Sequence, residues 1–119
     1  MGNTVVAKPS ELTPLTANLL AEAIHEVGLP AGVVNIVHGL GSETGQAIVE
    51  NPKVNIISFT GGTATGRKVA ETAAPMFKKV SLELGGKNAT IVLEDTNLEK
   101  VIPDIARAGF LNQGQVCLL

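Results

Sequence analysis

Short β-branched apolar runs alternate with stretches of helical periodicity, and that alternation limits the fold more than any other feature of the chain. The runs "TVVAK" (4–8), "VVNIV" (33–37), "NIISF" (55–59), "KVSLEL" (79–84) and "ATIVL" (89–93) read as strands. Between the first two, Leu15, Leu19, Leu20, Ala23, Ile24 and Val27 recur at helical spacing. Thr13 stands where a cap is needed, Pro14 suits the first turn, and Gly28 stops the helix ahead of Pro30. Ser42 to Val49 reads as a second helix ended by Asn51-Pro52, and Thr63 to Ala74 as a third ended by Pro75. Leu98 to Leu111 carries a fourth apolar face at 98, 101, 102 and 105, with Pro103 predicted either to kink it or to delay its start. Apolar strands joined through helices predict an α/β fold with a mostly parallel sheet covered by helices.

A chain of 119 residues has room for one core, and 45% apolar against 17% charged residues makes it globular. A net charge of −2 without a basic run, and three Phe with no Trp or Tyr, argue against a nucleic-acid partner. The single cysteine rules out an internal disulfide and suits a reducing, cytoplasmic setting. One Cys and two His offer no metal-ligand spacing. The opening "MGNTVVAKPSEL" has no signal-peptide pattern, and Val6 occupies the place where myristoylation requires Ser or Thr. No apolar run reaches membrane-spanning length. The chain begins almost directly in a strand and closes with "GFLNQGQVCLL", two residues past Cys117, so both ends read as cuts through a structured region.

Three glycine clusters follow strands. "HGLGSETG" places Gly39, Gly41 and Gly45 near dinucleotide-fingerprint spacing with one residue too many, and a plain β-to-α turn would use the same glycines. "FTGGTATGRK" leaves a strand and opens a helix, where free N–H groups and the helix dipole attract phosphate. Gly61 and Gly66 match the first part of a P-loop, but Arg67-Lys68 replace the required Lys-Ser/Thr. "LELGGKN" ends an apolar strand in Glu83. That carboxylate is either a strand-end group reaching solvent or a general base at the carboxyl edge of the sheet, where α/β proteins place ligands. Cys117 is likewise either a small hydrophobe or a nucleophile approached through the slim "NQGQ" loop.

Together, "VVAKPSELTPLTA", "LPAGVVNIVHG", "SFTGGTATGRK", "SLELGGKNATIVLEDTNLE" and "NQGQVC" resemble, in order and spacing, the NAD(P)-dependent aldehyde dehydrogenase superfamily across essentially the whole chain. Members resembling it most oxidise semialdehydes or small to medium aldehydes. The resemblance implies a Rossmann-like sheet running into the start of the catalytic domain: residues 1–84 as part of the NAD-binding domain, 85–119 as the truncated catalytic start. It implies that Cys117 attacks the aldehyde as a thiolate and that Glu83 activates the water that hydrolyses the thioester. Lys8 and Glu11 correspond to residues that bind the adenosine ribose, Gly41 and Gly45 to the adenosine side, and Thr60 and Gly61 to the nicotinamide–pyrophosphate stretch, with Gly62 and Leu84 also implied as cofactor-binding. A carboxylate at Glu11 repels a 2′-phosphate, so NAD is the implied cofactor. Acyl-CoA-forming members dispense with the glutamate, so Glu83 favours release of a free acid.

Two departures stand out. The family usually has Ser where this chain has Gly62, and the oxyanion asparagine and the nicotinamide-ribose glutamate fall outside these 119 residues. The implied parent is a homo-oligomeric enzyme acting on a small-molecule aldehyde, away from membranes, and the isolated chain is expected to be inactive. Two other readings remain: a non-catalytic truncated product with exposed sheet edges, and a phosphate-binding module, which the missing Lys-Ser/Thr argues against.

Overall fold

In the computed structural model, which describes residues 2–117, two β-α-β units form the frame. Strand β1 (Val5–Ala7) leads through α1 (Pro14–Glu26) to β2 (Val34–Ile36), its parallel partner, with Val5, Val6 and Ala7 opposite Val34, Asn35 and Ile36. A π-helical turn, Gly41–Gly45, and the short α2 (Gln46–Glu50) follow. Strand β3 (Ile56–Thr60) then leads through α3 (Thr63–Ala73) to β4 (Lys79–Glu83), again parallel, with Ile56 opposite Lys79 and Thr60 opposite Glu83. Helix α4 (Leu98–Phe110) completes the order. The α/β class and the parallel pairing agree with the sequence. Strands β2 and β3 do not pair, so the sheet comes as two separate two-stranded halves.

Several expectations need correcting. Residues 89–93 form no strand. Ile91 and Leu93 stand in solvent, and without a neighbouring strand to pair their backbone groups, β-branched propensity alone does not make a sheet. Thr13 precedes α1 but its side chain makes no capping bond. The second helix starts as a π turn rather than at Ser42 as an α-helix. Pro103 lies inside α4 without ending it, and Asn97 caps that helix by accepting from the Lys100 N–H at 3.3 Å. Gly28 ends α1 with φ +72°, as its freedom from a Cβ allows.

The buried core is small: Val49 from α2, Ile57 from β3, and Val69 and Ala73 from α3, with Ile48, Val54, Phe59, Val80 and Leu82 packed around it. Helix α1 contributes no buried residue. The chain exposes 9652 Å², where a compact monomer of its mass exposes about 6,100 Å². Its radius of gyration is 18.9 Å, against about 13.5 Å for a compact domain of this length.

Helix α3 sits close on the end of β4 because Gly66 has no side chain. A Cβ there would stand 2.4 Å from Leu84 Cδ2 and 3.2 Å from Cδ1. We expect Gly66→Val to push Leu84 and the end of β4 off α3 and to cost about 1–3 kcal/mol of stability, as overpacking does. Denaturant midpoints of wild type and variant check this; an unchanged midpoint contradicts the packing described.

Candidate coenzyme cleft and thiol

Lys8 leaves the carboxyl end of β1 and is tied down on arrival. Its ammonium donates to the Pro9 carbonyl at 2.6 Å and to the Gly39 carbonyl at 3.2 Å, and stands 3.7 Å from Glu11 Oε2. The first two bonds join the chain leaving β1 to the turn after β2. The Glu11 contact is an ion pair beyond hydrogen-bond length, so the third N–H of the ammonium and the half-exposed carboxylate both stay available to a ligand. The turn itself requires Gly39: with φ +140°, a Cβ there would fall 2.0 Å from Thr44 Oγ1.

These groups edge a cleft of about 600 Å³. Lys8, Glu11, Gly41 and Gly45 line it, two residues from the chain leaving β1 and two from the π turn. The opposite wall is α3, through Thr65, Lys68 and Val69, and the floor is β3, through Ile57, Ser58 and Phe59. Gly45 lies close enough to the Lys8 stem that a Cβ would touch its Cε at 3.7 Å. Lys68, dismissed at sequence level because it stands in the wrong place for a P-loop, is a cationic wall residue of this cleft. Neither it nor Gln46 and Ser42, which also line the cleft, carries a local sequence signal. Only the fold reveals them.

Thr60, Gly61, Gly62 and Leu84 lie outside that lining and form a second group. The register sets Thr60 opposite Glu83, and the Gly61 N–H donates to the Glu83 carbonyl at 3.0 Å. Gly62 is the cap residue of α3 with extended backbone and no capping side chain. A Cβ at Gly62 meets nothing within 4 Å, so space does not demand glycine there. The first N–H groups of α3 are thus left to a ligand or solvent at the end of β3.

The Glu83 side chain is exposed, which is the bland alternative of a strand-end carboxylate in this structure. Cys117 is exposed as well. Among the described residues no hydrogen bond joins the two side chains. Cys117 is instead anchored by its backbone: Asn88 Nδ2 donates to its carbonyl at 3.0 Å. Asn88 immediately follows "LELGGK", so the segment after β4 reaches across to the loop that bears the thiol. Asn112 and Gln113 in that loop take left-handed backbone angles, φ 49° and 59°, which turn the chain sharply before Cys117.

A cleft edged by the turns that leave the carboxyl ends of parallel strands is where open α/β sheets bind their ligands. Comparison with known proteins narrows the class. The pattern of the aldehyde dehydrogenase family matches residues 1–119, and this chain belongs to that family. It is 52% identical over 117 residues to human 2-aminomuconic semialdehyde dehydrogenase and 53% identical over 118 residues to 2-hydroxymuconic semialdehyde dehydrogenase of Pseudomonas sp. strain CF600, in each case across 98% of this chain. A mutant of aldehyde dehydrogenase C from Pseudomonas syringae, crystallised with NAD+ and octanal, superposes with a TM-score of 0.92 at 46% identity over 96% of this chain. The chain spans about a quarter of the length of each of the three: 24%.

The Asn88 bond generates a prediction independent of any ligand. Asn88→Ala removes the hydrogen bond to the Cys117 carbonyl, a net contribution of about 0.5–1.5 kcal/mol. Amide exchange from Gln115 to Cys117 should therefore quicken by roughly two- to tenfold. Exchange mass spectrometry reads it, and unchanged protection would show that Asn88 does not hold the thiol loop.

Proposed function

We propose that this chain forms the coenzyme-binding wall and carries the nucleophile of an NAD+-dependent aldehyde dehydrogenase, with a semialdehyde or small to medium aldehyde as substrate and the free acid as product. The observation that carries the reading is the gathering of Lys8, Glu11, Gly41 and Gly45 around one cleft. On this reading residues 1–84 belong to the coenzyme domain and 85–119 begin the catalytic domain of a homo-oligomeric enzyme. Its single exposed thiol favours a reducing compartment such as the cytoplasm.

The residues present fit a dinucleotide. Lys8 and Glu11 offer a donor and an acceptor to vicinal hydroxyls, the π turn brings the backbone close at Gly41 and Gly45, and α3 presents free N–H groups to a pyrophosphate. Bound there, the coenzyme supplies a hydride acceptor. The Cys117 thiolate adds to the aldehyde carbonyl, and its own backbone N–H donates to the oxyanion of the thiohemiacetal. Transfer of the hydride to that acceptor would leave a thioester on Sγ. Glu83 then takes a proton from water, the resulting hydroxide attacks the thioester carbonyl, and the acid leaves as Sγ is released. Glu83 and Cys117 need the remainder of the active site to bring them together, so the isolated chain is not itself the catalyst.

Two measurements on the full-length protein carrying this segment test the reading. Cys117→Ser should abolish NADH formation. Glu83→Gln should slow thioester hydrolysis by about a hundred- to ten-thousandfold while leaving the first hydride transfer, so rapid mixing should show one equivalent of NADH and a persistent acyl-enzyme. If Glu83→Gln forms no acyl-enzyme, the carboxylate acts before hydride transfer and its proposed role is wrong.

Coenzyme choice is the second. Glu11 should disfavour a 2′-phosphate, giving the wild type a higher kcat/KM with NAD+ than with NADP+. Glu11→Gln should move the ratio toward NADP+ by about tenfold. A wild-type preference for NADP+ contradicts the assignment.

A further inference from the structure

The cleft wall formed by α2 is held by a residue that does not touch the cleft. Helix α2 has five residues, too few to hold its shape by itself, and its last carbonyls have no partners within the helix. No glycine follows to close it, and Asn51 continues in extended backbone before Pro52. The cap comes from far along the chain. Lys78 Nζ donates to the Val49 carbonyl and, at 2.6 Å, to the Asn51 carbonyl. A cation at this end also complements the helix dipole.

Lys78 is placed for this by its own backbone. Phe77 takes a left-handed angle, φ 54°, which turns the chain out of the Ala74–Met76 turn, and the Lys78 N–H bonds back to the Ala73 carbonyl at 3.4 Å. One half-buried ammonium therefore ties α2 to the junction between α3 and β4. The elements it joins form two facing walls of the cleft: Gln46, Ile48 and Val49 on α2, Thr65, Lys68 and Val69 on α3. Val49, whose carbonyl Lys78 holds, is also a core residue.

We propose that Lys78 is a positioning residue for the dinucleotide, setting the separation of α2 and α3 so that the cleft is formed before the coenzyme arrives. This rests on the coenzyme reading of the cleft. It predicts an effect on binding without an effect on chemistry, because Glu83 lies five residues further along an extended strand, roughly 16 Å away, and among the described residues no hydrogen bond joins Lys78 to Cys117.

The test compares Lys78→Met, which keeps the stem and loses the charge, with Lys78→Arg, which keeps charge and donors, in the full-length protein. Calorimetry with NAD+ and steady-state aldehyde oxidation are the readouts. Lys78→Met should weaken NAD+ binding by about tenfold with kcat at saturating NAD+ within about twofold of wild type, and Lys78→Arg should recover most of the affinity. A folded Met variant with wild-type NAD+ affinity overturns the inference, as does a loss of kcat at unchanged affinity. A folded Arg variant that binds NAD+ about tenfold more weakly than wild type overturns it too, and this comparison stands if the Met variant does not fold. A wild-type protein that binds no NAD+ overturns the coenzyme reading together with this inference, whereas wild-type binding with insensitive variants overturns only the role of Lys78.

Discussion

The parallel pairing of β3 with β4 is the constraint on which the rest depends. It aligns two glycine-rich segments from separate parts of the chain, so that "TGG" and "ELGG" leave the sheet side by side and Gly61 bonds to the Glu83 carbonyl. A parallel pair needs a crossover, and α3 provides it, lying so close on Leu84 that a Cβ at position 66 would meet the leucine methyls. Slipping β4 by one residue against β3 would turn Val80 and Leu82 to the opposite face, away from Ile57 and Phe59, and take them out of the core packing. The proposed division of the site follows: coenzyme recognition at the ends of β1 and β2, hydrolytic chemistry at the end of β4.

Much of this was legible in the sequence because it rests on local rules. Alternating strand and helix patterns identified the four α-helices and the four strands of the described residues, and added a fifth strand that does not form. Glycine after a strand marked the turns, and the motifs from "KPSE" to "NQGQVC" carried the family resemblance that the comparisons bear out. The failures have physical causes. Residues 89–93 have strand propensity but no partner strand, and partners are set by tertiary structure. The π turn at Gly41–Gly45 differs from an α-helix only in hydrogen-bond register, which composition does not encode. Lys78 caps a helix that ends 28 residues before it, and Asn88 holds a carbonyl 29 residues after it. No spacing rule along the chain reaches that far.

The surface says something the motifs do not. Leu12, Leu15, Leu19 and Val27 stand open along α1 and the turns around it, Leu98, Ile102 and Phe110 along α4, and among the described residues four make up the buried hydrophobic core. Apolar faces at helical spacing are built to be covered. The excess exposed area and the quarter-length match to the relatives agree in assigning much of that cover to other parts of a larger body.

The most direct test of the central claim is a crystal structure of the full-length protein with NAD+ bound. The account places the adenosine in the cleft between α2 and α3, with the ribose hydroxyls on Lys8 and Glu11, the pyrophosphate at the start of α3, and the nicotinamide facing Cys117 Sγ. Adenosine density elsewhere in the protein, or a nicotinamide ring remote from Cys117, would contradict it.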